Sequence, residues 1–343
     1  MNAVFTCRPA TGEMEAMETR PLGKTDLRIS AVAFGAGPVP ALLVGDDRRR
    51  QTEVVAEAIA CGINWFDTAP TYGNGASESA LGAALTELRP RGIHVASKVR
   101  IPAEPPADLR EYVLGVVRSS LQRLGIERLS LLQLHNAITP NDSDQPSSVC
   151  PERVLDPGGI LDAMEFVRQE GLCEHLGLTG IGSPAALAEV ISSQRFASVQ
   201  MPFSLVQPSA GYFVRGEGID NYDGLLPICD VEGVGVLAIR VFAGGAIAGQ
   251  PPSEHTKRTP YFPLDVYERD RRRAEQIAAG LPEGLSVNEA AARFAIHQAG
   301  ISSAIVGMSS VEQVRDLARY TAAGPLSDEV IRAILAVVRG ERI

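Results

Sequence analysis

Ile93-His94-Val95-Ala96, then an apolar stripe at Leu109, Tyr112, Val113, Val116, Val117, Ser120, Leu121 and Leu124, then Gly125, then Leu129-Ser130-Leu131-Leu132-Gln133-Leu134: this stretch decides the fold. The two short runs are apolar without strict alternation, as strands buried on both faces are. The stripe between them recurs at i, i+3/i+4 and i+7, one face of a helix. Gly125 stands where such a helix stops. Strand, helix and strand in this order form a parallel crossover unit, which is right-handed in nearly all proteins.

Outward from this unit the same alternation continues. Apolar runs at Ile29–Phe34, Ile63–Phe66, Cys173–Leu178, Ser198–Met201, Val234–Ile239 and Ser303–Val306 bring the strands to eight. Helical patterns cover Thr52–Ala60, Ser77–Leu88, Gly159–Glu170, Pro184–Ser192 and Val311–Thr321. Eight such units close into a barrel with no free sheet edge. The expectation is an α/β fold, a single (β/α)8 TIM barrel over residues 19–343, preceded by a flexible N-terminal extension at 1–18. An open doubly wound sheet would place a glycine fingerprint after the first strand. Phe34-Gly35-Ala36-Gly37-Pro38-Val39-Pro40 lacks the third glycine, and its prolines hinder a helix there. Past the eighth unit, Val330, Ile331, Ile334, Leu335 and Val338 mark an extra C-terminal helix. Three long connections, Ala137–Pro157, Leu205–Tyr222 and Phe242–Glu268, all follow strand C-termini, the catalytic face of a barrel. Their aromatic residues Tyr212, Phe213, Tyr222, Tyr261 and Phe262 either line a substrate mouth or fold inward.

Composition narrows the partners. The chain has 343 residues, 45% hydrophobic and 21% charged, with a formal net charge of −9. An acidic chain without a basic run argues against nucleic acid and anionic membrane surfaces. Arg48-Arg49-Arg50 and Arg271-Arg272-Arg273 are read as solvated surface at the start of helices. No run approaches a membrane span, and Met1–Met17 lacks the basic start and apolar segment of a signal peptide. The five cysteines are scattered with no C-x-x-C pair, which fits thiols in a reducing cytosol better than disulfides or zinc. The expected place is therefore the cytoplasm, and the oligomeric state is not legible.

The chemistry lies at the strand ends. Asp67 and Tyr72 follow the second strand, Lys98 ends the third and His135 ends the fourth. Singly, a rim lysine is an ordinary ion-pair partner and a rim histidine a structural one. Four such groups on adjacent strands are harder to explain that way. An ammonium near a phenol stabilises the phenolate and makes Tyr72 a better acid near neutral pH. Asp67 would hold Lys98 charged, and His135 would polarise a carbonyl oxygen. The set is an acid and an electrophilic clamp without a nucleophile. It suits proton transfer to a carbonyl while a hydride arrives from elsewhere.

At this point the sequence resembles the aldo-keto reductases. The segment Asn64-Trp65-Phe66-Asp67-Thr68-Ala69-Pro70-Thr71-Tyr72-Gly73, with Ser77-Glu78 and Leu81-Gly82 after it, is similar to that family's most recognisable motif. Leu22-Gly23-Lys24-Thr25 and Phe34-Gly35 resemble its N-terminal region, and the likeness runs from about Arg20 to Thr321. The resemblance implies a catalytic tetrad of Asp67, Tyr72, Lys98 and His135 beside a nicotinamide. In Gly307-Met308-Ser309-Ser310-Val311-Glu312-Gln313, the Ser310/Gln313 spacing reads by itself as a helix cap or an anion site. The resemblance assigns Gly307, Ser309, Gln313 and Asp316 to the adenosine-phosphate end, with Leu317 where the family often has Asn. It assigns Gln200 and Thr179 to the nicotinamide carboxamide. Thr179-Gly180 stands where Ser-Asn is usual, and Ile239-Arg240 where the family places an aromatic ring. Arg240 can meet a pyrophosphate or an acidic substrate.

The expected activity is NAD(P)(H)-dependent hydride transfer between nicotinamide and an aldehyde, ketone or sugar carbonyl, without a metal. The family leans to NADPH, with NADH as the alternative, although only Arg315 stands near a 2′-phosphate. The rival readings are an NAD-dependent aldose-type dehydrogenase running oxidatively, a cofactor-sensing regulatory subunit, and an aldolase forming a Schiff base at Lys98.

Overall fold

The computed structural model describes residues 17–39, 41–214, 221–222, 224–259 and 261–341. Most of the expected N-terminal extension, residues 1–16, lies outside them. An antiparallel hairpin comes first, β1 (Thr19–Pro21) and β2 (Arg28–Ser30). Eight parallel strands then close a barrel: β3 (Val32–Gly35), β4 (Trp65–Asp67), β5 (His94–Val99), β6 (Leu129–Leu134), β7 (Cys173–Thr179), β8 (Ser198–Pro202), β9 (Gly235–Ile239) and β10 (Ile301–Gly307). Their order around the ring follows the chain, with β10 pairing back to β3.

The run expected as one strand from Ile29 to Phe34 breaks at Ala31. Side chains take up backbone groups on both sides of the break. Ser30 Oγ donates to the Val32 carbonyl at 2.6 Å, and Asn64 Oδ1 accepts the Ser30 amide at 2.7 Å. The hairpin seals the N-terminal mouth of the barrel. Leu22, Leu27 and Ile29 bury against the inward residues Ala33, Trp65, Ala96, Leu131 and Leu237. Gly23, at φ +54°, makes this possible, since a Cβ there would lie 2.4 Å from the Gly235 nitrogen.

Alternation along the strands sets the site. Side chains two apart share a face, so Trp65 and Asp67 point inward, as do Ala96 and Lys98, and Leu131 and Gln133. The interior is thus apolar at its base and polar in its top layer. Gly177 leaves room in that layer, where a Cβ would meet Gln133 Cγ at 3.3 Å and Ser198 Oγ at 2.6 Å. The outward residues, such as Phe66, Val95, Val99 and Leu132, pack under the helices in one continuous core.

Expected helices recur at Arg48–Ala60, Ala76–Leu88, Leu109–Leu124, Ile160–Gln169, Pro184–Ser192 and Val311–Ala322. The extra helix Asp328–Arg339 packs along Leu264–Ala279. Leu225–Glu232, Leu264–Ala279, Val287–Ile296 and the short Pro151–Leu155 were not legible in the pattern. Arg271 lies in the middle of Leu264–Ala279, ion-paired to Glu268 and Glu275, and not at a helix start. Among the described residues no helix is long and apolar enough to cross a membrane.

Candidate active site

The C-terminal rim of the barrel opens into a cleft of about 820 Å³. At its floor, Lys98 is almost fully buried and uses all three of its N–H donors. Nζ donates to Asp67 Oδ1 at 2.5 Å, to the Thr68 carbonyl at 2.9 Å and to Tyr72 Oη at 3.3 Å. Burial is the largest influence on the Lys98 ammonium and works against its charge. The attraction of Asp67, with Tyr72 adding to it, outweighs burial and holds the ammonium above its ordinary range. A lysine kept protonated this way is a poor nucleophile, which argues against a Schiff base there.

Asp67 is held from both sides. Its Oδ2 accepts Gln133 Nε2 at 2.9 Å and Gln200 Nε2 at 2.6 Å. Gln200, assigned by resemblance to a cofactor carboxamide, therefore turns its amide nitrogen onto Asp67 and leaves Oε1 for a ligand. Sequence reading missed Gln133 as a support, although it sits one strand from Lys98 at the same inward level.

Tyr72 accepts from Lys98, so its own hydroxyl proton is free to be given away. Its ring meets His135 edge-on, with centroids 5.8 Å apart. His135 Nδ1 lies 3.5 Å from Thr71 Oγ1. Burial first, then the charges of Lys98 and Arg100 and the His255 ring, hold His135 well below the ordinary histidine value. It is a neutral imidazole at physiological pH. When Thr71 Oγ1 donates to Nδ1, Nε2 carries the proton and faces outward as a donor.

The motif residues after Tyr72 brace this floor. Ser77 Oγ donates to the Ala36 carbonyl at 2.7 Å and meets Thr68 Oγ1 at 2.8 Å. Glu78, fully buried, accepts from Ser97 Oγ at 2.6 Å and Arg123 Nε at 2.7 Å.

From the tetrad the cleft runs past Thr179, Gln200, Ile239 and Arg240 to Gly307, Gln313 and Asp316. Thr179 is 3% exposed, and its Oγ1 has no partner. A buried hydroxyl left open at a cleft wall fits a ligand that brings its own donor or acceptor. Gly180 has no room for the family's Asn: a Cβ there would lie 2.9 Å from the Gln200 carbonyl oxygen. Arg240 adopts φ 59°, a conformation rare for a side-chain-bearing residue. Its guanidinium sits 3.7 Å from the Phe262 ring centroid and 3.7 Å from Asp270 Oδ2.

At the far end, the cap reading and the ligand reading share residues. Ser310 Oγ accepts the Gln313 amide at 3.3 Å, and Gln313 Oε1 accepts the Ser309 amide at 2.7 Å. Ser309 itself is not part of the cleft wall. Asp316 faces the cleft while pairing with Arg319 at 2.8 Å. Arg315 turns to Glu57 at 2.7 Å and does not line the cleft. Asn288, missed in the sequence, lines this end, and its Oδ1 is buried without a partner. These open polar atoms along one continuous cleft fit a nicotinamide dinucleotide.

The loop aromatics divide. Tyr261 and Phe262 line the cleft. Tyr212 packs with Phe203 and Phe294, Tyr222 is buried, and Phe213 is exposed.

Comparison with known proteins identifies the family and the fold. A family model described as the aldo/keto reductase family matches residues 43–339. The chain is 30% identical over 307 residues to the L-galactose dehydrogenase of Arabidopsis thaliana, covering 88% of each. It is 26% identical over 325 residues to the D-threo-aldose 1-dehydrogenase of a Pseudomonas species, covering 86% of this chain and 90% of that one. The holo form of an aldo-keto reductase from Bacillus halodurans shares the fold, with a TM-score of 0.70 at 24% identity over 94% of this chain and 96% of that chain.

Proposed function

The chain belongs to the aldo/keto reductase family and is a nicotinamide-dependent oxidoreductase, and on that premise we propose that Tyr72 moves the proton in the interconversion of a carbonyl and an alcohol, with NAD(H) as the preferred cofactor. The observation that carries the reading is the Asp67–Lys98–Tyr72 chain at the cleft floor, which ends on a phenol with its own proton unused.

When bound, the nicotinamide supplies or accepts the hydride. The protein's part in reduction is to complete the alcohol. His135 Nε2–H donates to the carbonyl oxygen and polarises it. Tyr72 Oη gives its proton to that oxygen as charge develops. Lys98, 3.3 Å away, stabilises the phenolate left behind. Asp67 holds Lys98 in place, and Gln133 and Gln200 hold Asp67. In oxidation the same groups act in reverse, with Tyr72 taking the alcohol proton.

Thr179 Oγ1 and Gln200 Oε1 would hold the carboxamide, and Ile239 would pack on the ring. Gly307 and Gln313 would hold the phosphate end, with Ser309 bonded to Gln313 behind the wall. The family leans to NADPH, but the charges here lean the other way. The cleft wall at the adenosine end consists of Asn288, Gln313, Asp316, Leu317 and Tyr320; Asp316 is its one charged group, and the neighbouring cations stand outside the wall, Arg319 paired with Asp316 at 2.8 Å and Arg50 donating to the Ser309 carbonyl at 3.0 Å. A carboxylate suits a ribose 2′-hydroxyl and repels a 2′-phosphate. An aldose-type dehydrogenase running oxidatively is the second reading, in which Tyr72 takes the proton of the sugar's anomeric hydroxyl as the hydride leaves the same carbon; it is favoured by this NAD-type wall and by the dehydrogenase names of two relatives.

Steady-state rates with NADH, NADPH, NAD+ and NADP+ against aldehydes and aldoses test the proposal. Tyr72→Phe should lose at least about a hundredfold in kcat, the lower range for general acid–base catalysis, while cofactor binding by fluorescence persists. Unchanged turnover in Tyr72→Phe would sink the assignment. Tight cofactor binding by the wild type with no turnover of any aldehyde or aldose would favour a sensing role.

A further inference from the structure

Arg100 follows the end of β5, two residues beyond Lys98, and lines the same cleft as Tyr72 and His135. It is half-buried. Its Nε donates to the His135 carbonyl at 3.3 Å, and its guanidinium lies 5.7 Å from the ring centroid of Tyr261. Tyr261 in turn gives its hydroxyl to the Pro146 carbonyl. The connections after the fourth and seventh barrel strands thus meet beside this one side chain.

Three other half-buried guanidiniums have carboxylates. Arg123 has Glu78, Arg240 has Asp270 and Arg293 has Glu289. Among the described residues no carboxylate lies within ion-pair distance of Arg100. Its neighbours add no negative charge. Lys98 is balanced by Asp67, and His135 is neutral. Along the same wall, His255 is held below its ordinary value by burial and then by Arg240, and Arg258 already has Glu254. With Nε engaged, both terminal amino groups of Arg100 remain, a fork that matches carboxylate or phosphate oxygens.

The phosphates of a cofactor are not the missing partner. Around the ring, β5 is four places from β9 and three from β10. The phosphate end belongs to the far side, beside Gly307 and the cap of Val311–Ala322. Arg100 stands next to His135, where the reacting carbonyl is placed.

We propose that Arg100 anchors an anionic group of the substrate, so that the preferred substrates are carbonyl compounds, or their alcohols, that also carry a carboxylate or a phosphate. The inference rests on the Tyr72-centred reading above and adds the substrate class to it.

Two matched pairs test it on the full chain with cofactor: succinic semialdehyde against butanal, and glyceraldehyde 3-phosphate against glyceraldehyde. The wild type should favour the acidic member of at least one pair by tenfold or more in kcat/KM. Arg100→Met should erase at least tenfold of that preference, chiefly through KM, and Arg100→Lys should keep part of it. The pair that loses more identifies carboxylate or phosphate. On the wild type alone, succinate should inhibit butanal reduction competitively at concentrations at least tenfold below butyramide. Equal potency of succinate and butyramide, or a preference that survives in Arg100→Met, overturns the proposal. Neutral aldehydes turned over with no preference for acidic partners would overturn it while leaving the role of Tyr72 standing. No turnover of any of the four would remove both.

Discussion

Replacing Lys98 with methionine should damage stability and catalysis through one cause, and the two losses can be measured apart. Methionine is nearly as long as lysine and fills much the same space. The change removes a charge and three hydrogen bonds, to Asp67, the Thr68 carbonyl and Tyr72, without opening a large cavity. Asp67, 3% exposed, would keep only the two glutamine amides. Removing one member of a buried ion pair costs about 3–5 kcal/mol, because the other charge is left unanswered. Unfolding entropy of about 2.1 cal/mol/K per residue gives about 0.7 kcal/mol/K for this chain. The thermal midpoint should therefore fall by about 4–7 °C. Asp67→Asn combined with Lys98→Met removes both charges while an amide oxygen still accepts from the glutamines. That double variant should recover more than half of the lost stability yet stay inactive, with kcat down by about a hundredfold or more in both proteins. Thermal unfolding by circular dichroism and turnover with a generic aldehyde read the two effects. A single variant as stable as the wild type, or a double variant no more stable than the single, would refute the claim that a buried ammonium answers Asp67.

Two further outcomes follow from the charges. Asp316→Ser removes a carboxylate from the adenosine end and should raise kcat/KM for NADPH relative to NADH by about tenfold, the size of one partly screened charge contact; an unchanged ratio in cofactor titrations would move the 2′ site elsewhere. His94, His135, His255 and His297 all sit below the ordinary histidine value, with burial as the first cause. The folded state then binds fewer protons than the unfolded chain once pH drops below about 6.5. Stability should fall as pH falls from there toward the folded values, by up to about 1.4 kcal/mol per pH unit for each histidine still neutral in the fold. Urea midpoints that hold steady between pH 6.5 and 5 would contradict this.

The parts of the fold that were hard to read share a physical reason. Leu264–Ala279 is dominated by charged residues, and only Tyr267, Asp270, Ala274 and Ile277 are buried, so its apolar stripe is faint. Val287–Ile296 has the opposite problem. Its run of alanines gives little contrast between faces. Leu225–Glu232 carries Pro227 in its first turn and is only eight residues long. Around Ala31 the only polar residue of the run is Ser30, and the break depends on Asn64, distant in the chain, capturing the Ser30 amide.

Local pattern determined the barrel, because strands buried on both faces and helices with one apolar stripe announce themselves within a few residues of chain. The positions of Asp67, Tyr72, Lys98 and His135 were likewise legible, since they sit at or just past the C-terminal ends of three adjacent strands. What those groups touch was not. Gln133 and Gln200 reach Asp67 across 66 and 133 residues of sequence, Arg315 turns to Glu57 instead of the cleft, and Tyr261 comes to lie over Arg100 from a distant loop. Hydrogen bonds and ion pairs act over about 3–4 Å, and only closure of the ring brings such partners within that range.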